Sequence, residues 1–399
     1  MYDFLSGISV IEASSFVAAP SAGLYCAQMG AEVIRVDQIG GGPDFHRWPV
    51  TAANDSLFWE NINRAKRSVA LDLSRPEGRE LLQALIRATG HLITNFPAGG
   101  FLGHDQLATG RPDLVTVRIM GWPDGSPALD YTVNNAVGYP LMTGPGPEPV
   151  NHALPAWDLL TGAYAAFALM SALRRRDNTG QGCEVRVPLS DVAIGTVANL
   201  GSVAEITYTM ADRPRLGNEV FGLFGRDFVT VDGVRMMVVV VTPRQWTNLV
   251  AALGIGEAVT RVEAERGVSF EKDDGLRFVH RDALLPLFAK AIAARTHASL
   301  VAAFDAGGIV HSAYRTMLEA VNDPAMVTEN PIFGRVQNPS GIDYPAVGAF
   351  VTVPQEERSS PCPAPRNGQH SEQVLAKLLR LSSGEIGRLI DAGIVGTNK

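Results

Sequence analysis

The chain has 399 residues, 46% of them hydrophobic, and a net charge of −7 at neutral pH. That length exceeds one ordinary core and predicts two domains, while the acidic balance leaves no basic footprint for a nucleic acid. Three widely spaced cysteines, Cys26, Cys183 and Cys362, form no disulfide framework and share no ligand spacing with the eight histidines, so a reducing cytosol and no metal site are expected. The first residues, MYDFLSGISVIEASS, lack the basic region and apolar core of a signal peptide. The longest apolar runs are broken by Gly, Thr, Ser or Pro before they reach membrane-spanning length. The expectation is a cytoplasmic protein with no membrane partner.

The opening part alternates short β-rich runs with helical stretches. Residues 8–12 predict a strand, 20–29 a helix closed by Gly30, and 32–36, EVIRV, a second strand. A β-α-β unit of this length implies a parallel pair with ligand binding near the strand ends. Strands at 68–73, 90–96 and 113–122 follow, with a helix at 75–89 between the first two. Alternation up to about residue 200 argues for a doubly wound α/β domain spanning 1–200. Its first loop, EASSFVAAPSAG, has no glycine before Gly23, so the G-x-G-x-x-G of a dinucleotide site is missing. After residue 215 the character changes. FVTVDGVRMMVVVV (228–241) predicts a β-hairpin turned at Asp232-Gly233, and a helix starts near Pro243. Residues 220–325 are expected as a smaller α+β domain. Residues 335–399, a Pro-rich lead into two amphipathic helices, are expected to return to the large one.

In NHALPAWDLLTGAYAAFALMSALRRR (151–176), Asp158 opens a run with no charge between residues 159 and 173. An aspartate there is either a helix N-cap, accepting orphan N–H groups of the first turn, or a nucleophile held ionised by the positive helix end.

Five stretches, in order, resemble the class III CoA-transferases. They are GAEVIRVD (30–37), NRAKRSVALDL (63–73), ITNFPAGG (93–100), the segment from DLLTG to PLSD (158–191), and PAPRNGQHSEQVLAKLL (363–379). The resemblance implies a Rossmann-like large domain with a parallel sheet, a smaller α+β domain, and two chains interlocked as a homodimer. It implies an acyl-CoA thioester of a small acid as substrate and no cofactor beyond the CoA of that substrate. Asp158 takes the position of the family's nucleophile, a role that does not exclude capping. Val17, Ala18, Leu71, Asn95 and Phe96 fall on segments that touch CoA in the family. Arg64, Lys66 and Arg67 are candidates for its phosphates, or else a solvated turn. The arginine usual after the family's NF-P-G stretch is Phe101-Leu102 here, which leaves that phosphate contact open.

The family's racemase branch carries a histidine in the segment that reads PALDYTVNNAVGYP here (127–140). Leu129 stands in its place and cannot shuttle a proton, so racemisation is not expected; His152 is read as structural. IGGGPDFHRWPVT (39–51), NHALPAWDLLTG (151–162) and RPRLGNEVFGLFGRDF (213–228) resemble more closely a subgroup that moves CoA between the two carboxyls of one dicarboxylate. Such a reaction needs a cation for the idle carboxylate. Arg47 and Arg226 are the candidates, because a guanidinium grips a carboxylate at two points. Transfer between different acids and a non-catalytic CoA-binding role are the alternatives.

Overall fold

In the computed structural model, which describes residues 1–398, the first strand, β1 (Ser9–Ala13), is buried at consecutive positions. Val10 packs into one core cluster with α1 (Ala18–Gln28), and Ile11 into a second cluster on the opposite face. Neighbouring strand residues point to opposite sides. In β2 (Glu32–Asp37), Val33 and Ile34 repeat the division. A parallel sheet covered by helices on both faces requires such unbroken apolar runs.

The chain continues through α2 (Leu57–Ile62), β3 (Arg67–Leu71), α3 (Pro76–Thr89), β4 (His91–Thr94), α4 (His104–Ala108), β5 (Val115–Met120), α5 (Asp130–Ala136) and α6 (Tyr139–Met142). Then come α7 (Ala156–Thr179), β6 (Cys183–Pro188), α8 (Leu189–Asn199) and α9 (Ser202–Thr209). β1 pairs in parallel with both β2 and β4; β3 lies beyond β2, and β5 and β6 lie beyond β4. The strand order therefore reverses between β1 and β4. Loops leaving the carboxyl ends of those two strands turn apart and open a crevice.

α7 begins after Pro155 and stops at Gly180, whose φ of 70° closes it. Thr161, Gly162 and Ser171 do not interrupt it, contrary to the expectation that such residues cut the apolar runs short. By length and composition alone this helix is able to cross a membrane. Its Ala165, Leu169, Ala172 and Leu173 are nevertheless core residues, packed with α1 and β5. Gly162 lets α1 come so close that a Cβ there would lie 2.7 Å from the Ala18 carbonyl oxygen.

The chain divides into two compact units, and the second takes residues 138–151 and 211–322. It contains β7 (Phe224–Val229), β8 (Arg235–Val240), α10 (Pro243–Leu253), α11 (Gly256–Arg266), α12 (Asp274–Val279), α13 (Arg281–Ala293), α14 (His297–Gly307), β9 (Val310–Ala313) and α15 (Met317–Asn322). The three strands pair antiparallel around a core that includes Phe224, Trp246, Phe270 and Phe288. Residues 138–151 fall inside the expected large domain but belong to this unit. The Arg215 guanidinium binds them to it, donating to the carbonyls of Thr143, Gly146 and Glu148 at 3.2, 2.5 and 2.6 Å.

From Asp323 the chain is part of the first unit again. β10 (Phe333–Gln337) and β11 (Asp343–Val347) form a hairpin. α16 (Ser371–Leu379) and α17 (Ser383–Asp391) add Val374, Leu375 and Ile386 to the second core cluster. β12 (Val395–Gly396) pairs antiparallel with β3 at the sheet edge.

Candidate active site

The crevice at the strand reversal is a cavity of about 1410 Å³. Phe16, Val17 and Ala18 line it after β1, Asn95 and Phe96 after β4, and Asp130 and Asp158 from two helix starts. Phe16 has a φ of 70°, uncommon for a bulky residue. Its N–H donates to both oxygens of Asp44, at 3.1 and 3.0 Å. Asp44 is fixed in turn by buried Arg35 at 3.1 Å, which also bonds Glu12, Asp37 and the Ser14 carbonyl. Lys66 completes the cluster, 2.8 Å from Glu12 and from the Pro20 carbonyl. A buried charge network therefore holds the loop between β1 and α1 in place. Asn95 clamps that loop from the other strand, accepting the Ser15 N–H at 3.2 Å and donating to the Ser15 carbonyl at 2.9 Å. Arg118, buried in β5, donates to the carbonyls of Phe96, Pro97 and Leu102, so the loop after β4 is equally fixed.

Asp158 lies in the first turn of α7 but does not cap it. The N–H groups of Trp157 and Asp158 donate instead to Oδ2 of Asp130, at 2.7 and 3.0 Å. The Asp158 carboxyl is pushed up to about 6, by burial first and the Asp130 charge second, with Arg47 drawing it down. This corrects the idea that the helix end holds Asp158 ionised, because Asp130 occupies those amides. Arg47 lies with its guanidinium 4.5 Å from the Phe16 ring centre and 5.1 Å from that of Phe58. Such faces attract a cation without neutralising it. Among the described residues, Arg47 has no ion-pair partner within bonding distance.

A carboxylate free of capping and a cation bonded to no carboxylate thus share one cavity at the carboxyl ends of a parallel sheet. Residues 5–371 match the family model of CoA-transferase family III. The chain belongs to CoA-transferase family III. It is 44% identical to 2-methylfumaryl-CoA isomerase from Chloroflexus aurantiacus, over 99% of this chain and 98% of that protein. It is 28% identical to succinate–glutarate CoA-transferase from Agrobacterium fabrum, over 94% of this chain and 95% of that protein. The solved structure of a CAIB/BAIF family protein from Brucella suis shares the fold, with a TM-score of 0.77 at 24% identity, covering 95% of this chain and 100% of that one. As a member of family III the chain is an enzyme that acts on an acyl-CoA thioester.

Of the residues expected at a family III site, Asp158, Arg47, Val17, Ala18, Asn95 and Phe96 line the cavity. The others do not. The Leu71 side chain is wholly buried in the second core cluster. Lys66 is buried on Glu12, and burial lowers its pKa to about 8. Arg64 is buried as well, donating to the Asn61 carbonyl at 2.5 Å. Arg67 pairs with Glu32 at 2.9 Å and with Gln373. In NRAKRS, Lys66 and Arg67 thus meet carboxylates of their own unit, while the Nε atoms of Arg64 and Arg67 are buried without a hydrogen-bond partner among the described residues. Arg226, on β7 of the second unit, pairs with Glu219 at 3.2 Å and does not line this cavity. Asp130, Asp44 and Arg118 escaped the sequence reading. The first caps a helix 27 residues further on, so no local spacing reveals it. Arg118 did leave a signal, a lone arginine inside the apolar strand VTVRIM, since such residues are buried only when fully bonded.

Proposed function

We propose that this enzyme catalyses the 2-methylfumaryl-CoA isomerase reaction, moving CoA between the two carboxyl groups of mesaconate without releasing the acid. The observation that carries the reading is the pairing, in one cavity, of an uncapped Asp158 with Arg47, whose guanidinium has no ion-pair partner within bonding distance among the described residues. An oxygen of Asp158 attacks the thioester carbonyl; the C–S bond breaks, leaving a mixed anhydride and CoA thiolate. The thiolate attacks the Asp158 carbonyl of the anhydride, giving an aspartyl-CoA thioester and mesaconate. The other carboxylate of mesaconate then attacks that thioester and expels the thiolate again. The thiolate takes the acyl group from the new anhydride, and Asp158 is restored. Between the second and third steps the diacid must turn round inside the site. In this reading Arg47 holds one carboxylate while the other reacts. The 44% identity to an enzyme of that name supports the substrate.

The test is turnover of mesaconyl-CoA alone by purified enzyme, with isotopically labelled free mesaconate in solution. Isomerisation with slight label uptake is the expected result. A requirement for a second acid, or full incorporation, would assign transfer between separate acids. Bound CoA with no turnover at all would reduce the chain to a CoA-binding relative.

A further inference from the structure

Two aspartates meet at the start of α7, and only one of them belongs to it. Asp130 reaches across from the first residue of α5 and is 1% exposed. Its Oδ2 accepts the Trp157 and Asp158 N–H groups, and its Oδ1 lies 2.5 Å from Nε2 of His152. Three hydrogen bonds thus fix a buried carboxylate against the very peptide that carries the Asp158 side chain. His152 is seated in turn, edge-on to Tyr131 at 5.8 Å and 6.4 Å from Trp157. The Trp157 indole N–H donates to Asn134 of α5 at 3.0 Å.

We propose that Asp130, backed by His152, is a positioning residue for Asp158: it caps α7 from another helix and leaves the Asp158 carboxylate unbonded and facing the substrate. The proposal rests on the reading of Asp158 as nucleophile. A carboxylate that caps its own helix is stabilised by the helix dipole, and a more stabilised anion is a weaker nucleophile. Here Asp130 occupies the amides that would blunt Asp158 and adds repulsion from a like charge. That repulsion disappears whenever Asp158 is acylated, because neither its anhydride nor its thioester carries the charge. Asp130 therefore raises the resting carboxylate in free energy relative to both covalent intermediates. The titratable and charged groups facing Asp158 are Asp130 from α5 and Arg47 from the segment before α2; those facing Asp130 are His152 and Asp158 itself.

Asp130→Asn keeps an oxygen for the two amides and removes the charge; Asp130→Ser does so with a shorter side chain, in case the first variant folds poorly. Full-length enzymes are compared in two ways: the pH profile of kcat/KM with mesaconyl-CoA, and the mass of the Asp158 peptide after acid quenching during turnover. In the variants the acid limb is expected to move to lower pH by about half a unit or more. The fraction of Asp158 trapped as its CoA thioester is expected to fall about threefold or more. An acid limb that stays in place in both variants, with the CoA adduct still on Asp158, overturns the inference and leaves the nucleophile intact. Absence of any adduct on Asp158 in the wild type removes the nucleophile reading, and this inference with it.

Discussion

A carboxyl group that titrates near 6 inside a protein makes two demands at once, one on activity and one on stability. Activity needs the ionised form, so kcat/KM is expected to fall as the pH drops through about 6. Asp158→Ala and Asp158→Asn are expected to keep less than about a tenth of wild-type turnover, a barrier increase above ~1.4 kcal/mol. Stability runs the other way. Unfolded, the carboxyl titrates at its ordinary 3.8; folded, at about 6. Between those values the folded chain binds the extra proton, so folding weakens as pH rises through this window and bears the full penalty above it. That penalty is at most about 3 kcal/mol, less what solvent screening removes. Asp158→Asn should therefore melt higher than wild type at about pH 7 and equally at about pH 4, below which both states are protonated. Equal melting at both would show that the carboxyl is not strained. Arg47 has its own signature. Arg47→Lys keeps the charge without the planar grip and should admit labelled mesaconate into the product; Arg47→Ala should admit more. Low, equal incorporation in wild type and both variants, with turnover unchanged, clears Arg47. Asp158 and Arg47 were legible in the sequence through a charge-free run and a motif. Asp130 was not, because capping across two helices leaves no periodic trace.

At the scale of elements, the two halves of the cavity meet where α1 crosses α7. Val17 and Ala18 start the first helix, Asp158 starts the second, and Gly162 is the point of closest approach. A methyl group there would press on the Ala18 carbonyl and the Ser21 side chain, both 2.7 Å from its position. Backbone cannot yield as a flexible side chain does, so the helices must part. Gly162→Ala is expected to destabilise the chain by about 1–3 kcal/mol and to lower turnover by displacing Asp158 from the β1 loop. Thermal melting and kcat measured together check this; an unchanged melting point would show that the crossing has slack. The strands and helices themselves were largely readable, since apolar runs and Gly stops dictate them. The basic triplet looks different in three dimensions for a physical reason. Arg64, Lys66 and Arg67 look available along the chain, but the neighbouring strand and α1 bring Glu32 and Glu12 to two of them.

Over the whole molecule, the first unit is made from three separate lengths of chain, and the second is inserted twice between them. A sequence scan finds the shift in character after residue 215 but not the short loan of residues 138–151, whose anchor, Arg215, lies far along the chain. The first unit also leaves apolar side chains uncovered on α9 and its end, with Tyr208 91% and Met210 84% exposed. We infer a homodimer from the family resemblance, and this end of α9 is a surface that such a pairing could cover. Light scattering at micromolar concentration is expected to give twice the 42.6 kDa chain mass; a single-chain mass would contradict it.

The pairing of Val395 and Gly396 with β3 has a meaning in time as well as in space. β3 is made well before the residues that close its outer edge, which are His370, Ser371 and Ile394 as well as Val395 and Gly396. Without them, β3, a strand of buried character, would present unpaired N–H and C=O groups along that edge. Such an edge pairs readily with another nascent chain. Removing Val395 and Gly396 is expected to bare part of that edge and make the shortened chain more prone to associate; turbidity on warming, compared with the full chain, checks this.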